Sequence, residues 1–375
     1  MEKENSAMNI FILAGEPSGD EYGAQLMKYM KSANPHISFH GIGGPCMEEH
    51  GLQSMVDFEK MAVMGFIEIL KSITFFMKIE KQIVQFIQKN KLDKIILIDY
   101  PGLNLRLCQK IKKYTNCQIF YYISPQIWAW KEKRIDTIKK YVDHMIVIFE
   151  FEKNWYSERD VKAKFFGHPF LDIWDKNNTQ HFIQKYNIDI NKPIMTLFPG
   201  SRNQELKKHL NLLIKASINI KKQLPDMQIL LGLHPNINTP NINEADIIVI
   251  HDEPLKALEI ATFAVVSSGT ATLQAAIMNT PSIVIYKMNA WSWYLTKNLV
   301  QVKFASMANI IADKLVFPEL LQKQLTSESI SELGIKLIRD AEYRGTMINQ
   351  MKKINQIIGK PGASKQIATF ILGQN

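Results

Sequence analysis

The sequence predicts an α/β protein built from two doubly wound domains, each a mostly parallel sheet with helices on both faces. Three observations carry that prediction. Short apolar runs and helical patterns alternate through the 375 residues, the order that builds parallel sheets. Several apolar runs stop abruptly at Gly-, Ser- or Pro-rich turns that open straight into a helix. A polar stretch, Asp172 to Pro193, interrupts the alternation, and the same logic restarts at Ile194. A hinge is expected near His168 to Asp175.

In the first half the expected strands are Ile10 to Leu13, Ser38 to Gly41, Lys94 to Ile98, Gln118 to Ile123, His144 to Ile148 and Ala163 to Phe166. Helical patterns such as Ile79 to Gln88 and Leu105 to Tyr114 fill the gaps. The first strand runs into Ala14-Gly15-Glu16-Pro17-Ser18-Gly19-Asp20. Its Ser18 and Asp20 suit a helix start, and with Glu16 they make the loop fitter for a hydroxyl-rich or cationic ligand than for a bare phosphate. The strand Lys94 to Ile98 ends in Asp99-Tyr100-Pro101-Gly102. Ligands of such sheets bind beyond the carboxyl ends of the strands. Asp99 is therefore a candidate general base, provided burial or a neighbouring carboxylate raises its pKa towards neutrality; capping of the next turn is the competing role. Ser124-Pro125-Gln126-Ile127-Trp128-Ala129-Trp130 follows the next strand, with Lys131, Lys133 and Arg134 behind it. Aromatic faces beside cations suit a sugar phosphate, and they equally suit packing.

In the second half, strands are expected at Ile194 to Phe198 and near Ile229, Ile247, Ala264 and Ile283. Val265-Val266-Ser267-Ser268-Gly269-Thr270 is a strand, a tight polar loop and the start of a helix. Free N–H groups and the positive end of the helix dipole converge there, which suits a phosphate. Ser268 and Thr270 add hydroxyls, and Gly269 allows a close backbone approach. Pro199-Gly200-Ser201-Arg202 is a second such turn. It sets a guanidinium at a helix start, where the dipole disfavours a cation unless an anion lies between. Each turn alone is also what a well-capped helix or a solvated arginine looks like. Together they point to a diphosphate, such as that of a nucleotide-sugar. The last stretch, Ser327 to Leu372, reads as helical.

The net charge is +9, with the basic residues spread along the chain. No Lys/Arg run interleaved with aromatics marks a nucleic-acid module. A spread positive balance fits anionic small molecules or an anionic membrane surface. The three cysteines, Cys46, Cys108 and Cys117, form no Cys-x-x-Cys pair, and no histidine cluster has zinc spacing. Free thiols, a reducing compartment and no signal peptide are the expectation. No apolar run is long enough to span a bilayer, so membrane contact would be peripheral. Met61 to Met77 is rich in methionine, phenylalanine and isoleucine. It reads as an amphipathic core helix or as an apolar patch for acyl chains.

Eight motifs now stand in order: Gly15 to Asp20, Gly43-Gly44-Pro45, Met64-Gly65-Phe66-Ile67-Glu68, Ile98-Asp99-Tyr100-Pro101, Ser124 to Trp130, Gly167-His168-Pro169, Pro199 to Arg202 and Ser268 to Thr272. From about Ile10 to about Gln322 the chain resembles the lipid-A-disaccharide synthases. The resemblance implies a GT-B glycosyltransferase, with two Rossmann-like domains facing a central cleft. Residues 1–172 would be the acceptor side, 173–344 the UDP-sugar-binding domain, and 345–375 a helical tail packing back on the amino-terminal domain. It implies transfer of 2,3-diacylglucosamine from UDP to the 6-hydroxyl of 2,3-diacylglucosamine 1-phosphate, without metal or cofactor. It places the chain in the cytoplasm, on the inner face of the inner membrane, and allows a homo-oligomer. Asp99 matches the family's base. Arg202, Ser268, Gly269, Thr270, Gln274 and Asn309 fall on the donor side, and Glu16, Ser18, Asp20 and Trp128 on the acceptor side.

The chain departs from the family's pattern in three places. Gly102 stands where a second aspartate is usual. Gln274 replaces a glutamate, so one carbonyl oxygen stands where a carboxylate would accept two ribose hydroxyls; weaker ribose binding is the expectation. Ser306-Met307-Ala308-Asn309 keeps the asparagine without the usual proline. Two rival readings remain. One is another GT-B protein, such as a UDP-sugar epimerase or a peptidoglycan-type transferase, though those lack the Ser124 to Trp130 stretch. The other is a basic, peripheral lipid-binding protein that keeps the fold without turnover.

Overall fold

The structure is a computed structural model that describes residues 7–62, 73–174, 179–234, 237, 242, 246–289, 293 and 302–373. The chain forms two compact units, Met1–Trp174 with Ile358–Asn375, and Asp175–Ile357.

In the first unit the strands are β1 Met8–Ala14, β2 Ile37–Ile42, β3 Leu52–Ser54, β4 Lys94–Ile98, β5 Gln118–Tyr122, β6 His144–Val147 and β7 Ala163–Phe165. They form one parallel sheet in the order β3-β2-β1-β4-β5-β6-β7. Ile10 to Ala14 and Ile95 to Ile98 are fully buried without alternation, the mark of a sheet covered on both faces. Helix Pro17–Ala33 follows β1 and buries Tyr22, Leu26, Met27 and Met30, one side of a 3.6-residue period.

In the second unit β8 Ile194–Phe198, β9 Gln228–Gly232, β10 Ile247–Ile250, β11 Phe263–Ser267, β12 Ser282–Tyr286 and β13 Glu319–Leu321 form a second parallel sheet, in the order β10-β9-β8-β11-β12-β13. The doubly wound class read from the sequence is thus the observed one. Two edge strands, β3 and β13, escaped that reading. Each has only three residues, too few to show a period.

Each sheet reverses its winding at one place. In the first unit that place lies between β1 and β4, in the second between β8 and β11. At such a switch point the two following loops diverge and leave a crevice beyond the strand ends, where ligands of open α/β sheets bind.

The Gly167-His168-Pro169 motif serves the return of the chain to the first unit. The backbone N–H of His168 donates to the carbonyl of Ile358 at 2.9 Å. Gly359 sits at φ +96°, and a Cβ there would stand 2.9 Å from the Cα of Gly167, so only glycine fits. Asp172 accepts the N–H groups of Gly362 and Ser364 and so caps helix Ala363–Leu372. The His168 imidazole is buried and accepts the N–H of Phe170. Burial pushes its pKa down to about 3, so it is a neutral packing group.

Among the described residues no helix is long and apolar enough to cross a membrane. Most of the Met61 to Met77 patch, residues 63–72, lies outside the described residues. Of its carboxyl-terminal part, Phe76 is buried in helix Ile73–Lys89 while Met77 is 61% exposed.

Candidate functional site

In the first unit, the loops after β1 and β4 flank the switch point. Asp99 and Tyr100 both adopt the left-handed conformation, each at φ 45°, a region costly for residues other than glycine. The turn is pinned from several sides. The N–H of Asp99 donates to the carbonyl of Tyr122 at 2.9 Å. The carbonyl of Asp99 accepts from Tyr121 Oη at 2.6 Å and from Asn104 Nδ2 at 2.8 Å. Helix Pro101–Ile111 then starts with proline in its first turn, where the missing N–H costs nothing. The Tyr100 ring fills the space over Gly15, where a Cβ would stand 2.6 Å from it. Backbone strain held by this many bonds fixes the direction of one side chain, that of Asp99.

Burial raises the Asp99 pKa to about 7, the negative charge of Glu16 adds to the rise, the Tyr100 N–H opposes it, and Glu152 adds to it again. That is the range a general base needs near neutral pH. Glu16 is exposed at the cap position of helix Pro17–Ala33, and Ser18 is half-buried in its first turn. Because Glu16 lifts the Asp99 pKa, Glu16→Gln is expected to move the acid limb of the kcat/KM–pH profile downwards. An acid limb that stays in place would remove Glu16 from the electrostatics of the base.

Asp20 does something else. Its Oδ1 accepts the N–H groups of Gly44 at 2.7 Å and Met47 at 3.1 Å, and its Oδ2 that of Cys46 at 3.0 Å. It is 3% exposed. The carboxylate placed on the acceptor side from the sequence is therefore spent on the Gly43-Gly44-Pro45 loop and clamps it to the helix after β1. Trp128 is also engaged, its Nε1 donating to Glu152 Oε1 at 3.0 Å. Glu152 was not singled out in the sequence. It is 1% exposed and also accepts from Ser124 Oγ at 2.8 Å and from the N–H groups of Ile148 and Phe149. Burial lifts its pKa to about 7 against the pull of these four donors. It fixes the Ser124 to Trp130 loop at the carboxyl end of β5, next to β4. Nothing lies within 4 Å of where a Cβ at Gly102 would stand, so no packing demand holds a glycine there.

In the second unit the two anion-suited turns follow β8 and β11, the strands at its switch point. Gly200 adopts φ +121°, and a Cβ there would run into Glu205. Glu205 Oε2 accepts the N–H of Ser201 at 3.0 Å. Arg202 begins helix Asn203–Gln223, its side chain 64% exposed and its Nη1 4.0 Å from Glu205 Oε1, so the guanidinium stays open to a ligand. Gly269, at φ +146° with no atom within 4 Å of a Cβ position, is exposed with Thr270 at the start of helix Thr270–Met278. The first N–H groups of that helix have no intrahelical acceptor. Gln274 is half-buried one turn further on. Ser268 Oγ donates to the carbonyl of Ala305 at 2.6 Å. Thr272 Oγ1 donates to the carbonyl of Gly269 and accepts the N–H of Met307.

Asn309 requires a correction. It is fully buried, and each of its hydrogen-bonding positions is filled. Nδ2 donates to Phe317 O and Glu319 Oε1, and Oδ1 accepts from Val316 and Phe317 N–H. An asparagine amide offers two donors and two acceptors, so nothing remains for a donor sugar. Glu319 in turn holds the N–H groups of Ala305 and Ser306. Asn309 thus secures the segment on which the Ser268 loop rests.

Among the described residues no group of three His, Cys, Asp or Glu side chains is placed to hold a metal ion.

A turn carrying a carboxyl of near-neutral pKa lies at one switch point and an anion-suited pair of turns at another. The family model for lipid-A-disaccharide synthetase matches residues 10–369. The lipid-A-disaccharide synthase of Trichlorobacter lovleyi is 37% identical over 372 residues, covering 97% of this chain and 96% of that one. The Coxiella burnetii enzyme of the same name is 35% identical over 370 residues, covering 98% of each. The chain belongs to the lipid-A-disaccharide synthase family. It is a glycosyltransferase of lipid A biosynthesis. Among solved structures, the UDP-GlcNAc 2-epimerase from Neisseria meningitidis bound to UDP-GlcNAc superposes with a TM-score of 0.65 at 13% identity, covering 98% of this chain and 99% of that one. The calicheamicin glycosyltransferase CalG4 gives 0.59 at 12%, covering 98% of each. These two likenesses speak for the fold alone, the two-sheet GT-B type.

Proposed function

We propose that this chain joins two acylated glucosamines by a single inverting displacement. Asp99 takes the proton from the 6-hydroxyl of 2,3-diacylglucosamine 1-phosphate. The oxygen attacks the anomeric carbon of UDP-2,3-diacylglucosamine from the face opposite the phosphate. The bond from that carbon to the phosphate oxygen breaks, and its electron pair leaves with UDP. Asp99 then gives its proton to solvent. The observation that carries this reading is Asp99 itself, a carboxyl with its pKa raised to about 7 on a pinned left-handed turn at the switch point.

The charge that gathers on the leaving diphosphate falls to Arg202 and to the helix start at Gly269 and Thr270. Such groups stabilise developing charge because they are oriented before it appears. Ser268, read from the sequence as a donor-side contact, has no donor left for it, its N–H going to the carbonyl of Ile285 and its hydroxyl to that of Ala305. No metal is assigned a part. Gln274 is the donor-side contact for the ribose, and Glu16 and Ser18 serve the acceptor. The enzyme works peripherally on the inner face of the inner membrane: both substrates carry acyl chains, and the exposed Met77 lies at the end of the apolar patch. A homo-oligomer is compatible with this reading.

UDP release is to be followed with both lipid substrates in detergent and EDTA, together with the mass of the lipid product. Release of UDP with a disaccharide phosphate in EDTA is the expected result. Product that returns only on adding magnesium would overturn metal independence. Binding of both lipids with no product in either condition would favour the lipid-binding reading.

A further inference from the structure

His209, on helix Asn203–Gln223, is fully buried. Its Nδ1 lies 2.6 Å from the carbonyl of Pro199, and its Nε2 3.1 Å from the backbone N of Lys287. A carbonyl only accepts and a backbone N–H only donates. The ring is therefore neutral, with its proton on Nδ1. Burial first, and then the charges of Lys208 and Lys287, lower its pKa against the hydrogen bond to Pro199, which keeps it in that form. One imidazole thus ties the turn after β8 to the residue directly after β12.

The sheet order gives this tie its meaning. β11 lies between β8 and β12, so the Ser268-Gly269-Thr270 loop is flanked by the Arg202 turn on one side and by Lys287 on the other. Lys287 is exposed, and no salt bridge engages it among the described residues. An anion seated on the helix start after β11 would meet a cation from each neighbouring strand. An arginine fork and a lysine point charge divide the task in their usual ways.

We infer that Lys287 is a second cation for the diphosphate of the sugar donor, and that His209 is the residue that positions it. The inference rests on the donor reading above and adds two residues to it. A neutral imidazole is suited to the positioning role, because a charged one would repel the cation it places.

The test is calorimetric binding of UDP and of UMP to the wild-type chain, Lys287→Met, Lys287→Arg, His209→Ala and the Lys287→Met/His209→Ala double variant. Lys287→Met is expected to weaken UDP binding about tenfold, the worth of one charge-assisted hydrogen bond, and to change UMP binding far less. Lys287→Arg should retain most of the affinity. His209→Ala should also weaken UDP binding, and the double variant should bind no more weakly than Lys287→Met. Multiplying losses would mean that His209 acts by supporting the fold at large, which would overturn its positioning role. A Lys287→Met chain that binds UDP as tightly as the wild type would overturn the assignment alone, whatever the fate of the histidine variant. A wild-type chain that binds no UDP would overturn the donor reading itself.

Discussion

Asp99→Asn is expected to lower kcat about a thousandfold, within the range that loss of a general base produces, while both substrates still bind. The same variant should melt at a higher temperature than the wild type at pH 8, and the difference should shrink as pH falls and vanish only below the ordinary carboxyl value of 3.8. The sign follows from the direction of the shift. The folded-state pKa of Asp99 is raised, from an ordinary 3.8 to about 7, so the native chain binds more protons than the unfolded chain between those values. Stability then falls as pH rises through that window. Asparagine cannot ionise and escapes the penalty. Kinetics and thermal melts at pH 5 and 8 check both halves. Turnover like that of the wild type would remove Asp99 from the mechanism. A variant that melts lower at pH 8 would show that its carboxylate supports the fold. Loss of activity with gain of stability is the usual signature of a strained, functional side chain.

Asn309→Ala should destabilise the second unit by about 3 kcal/mol, because it strands buried groups rather than merely removing contacts. The N–H groups of Val316 and Phe317 lose their acceptor, and Phe317 O and Glu319 Oε1 lose a donor. Glu319 is then less firmly held while it carries the Ala305 and Ser306 N–H groups. That segment receives the Ser268 hydroxyl, so KM for the donor should also rise, with the acid limb of the pH profile unmoved. Denaturant titration and steady-state kinetics measure these effects. A variant as stable as the wild type would contradict the account of Asn309 as a buried, fully satisfied amide. A normal KM in a destabilised variant would break the link from Asn309 to the donor loop.

Much of this was legible in the sequence because it is local. A strand, a glycine- or proline-bearing turn and a helix start lie within a dozen residues, and Asp99, Arg202 and the Ser268 loop sit at such junctions. What escaped was long-range. Glu152 lies 28 residues from Ser124 and 24 from Trp128, and no spacing rule joins them. His209 looks like a single histidine on an amphipathic helix until the loops at its two nitrogens are seen. Asp20 and Asn309 were read as ligand contacts because their chemistry allows it. The folded chain shows Asp20 holding three backbone N–H groups, and Asn309 filled by backbone groups and the Glu319 carboxylate, and only tertiary structure reveals that.

The return of the chain to its first unit has a consequence for biosynthesis. The unit that carries Asp99 includes Ile358–Asn375, and helix Ala363–Leu372 packs there. A ribosome must therefore pass through all of the second unit, Asp175–Ile357, before the first unit has all its parts. The other unit, continuous from Asp175 to Ile357, has all of its own earlier, although it begins later. Domains emerging in order usually fold in order, and here that order is inverted. A nascent chain would hold an incomplete, apolar sheet through much of translation, which makes its first unit the natural client of a chaperone.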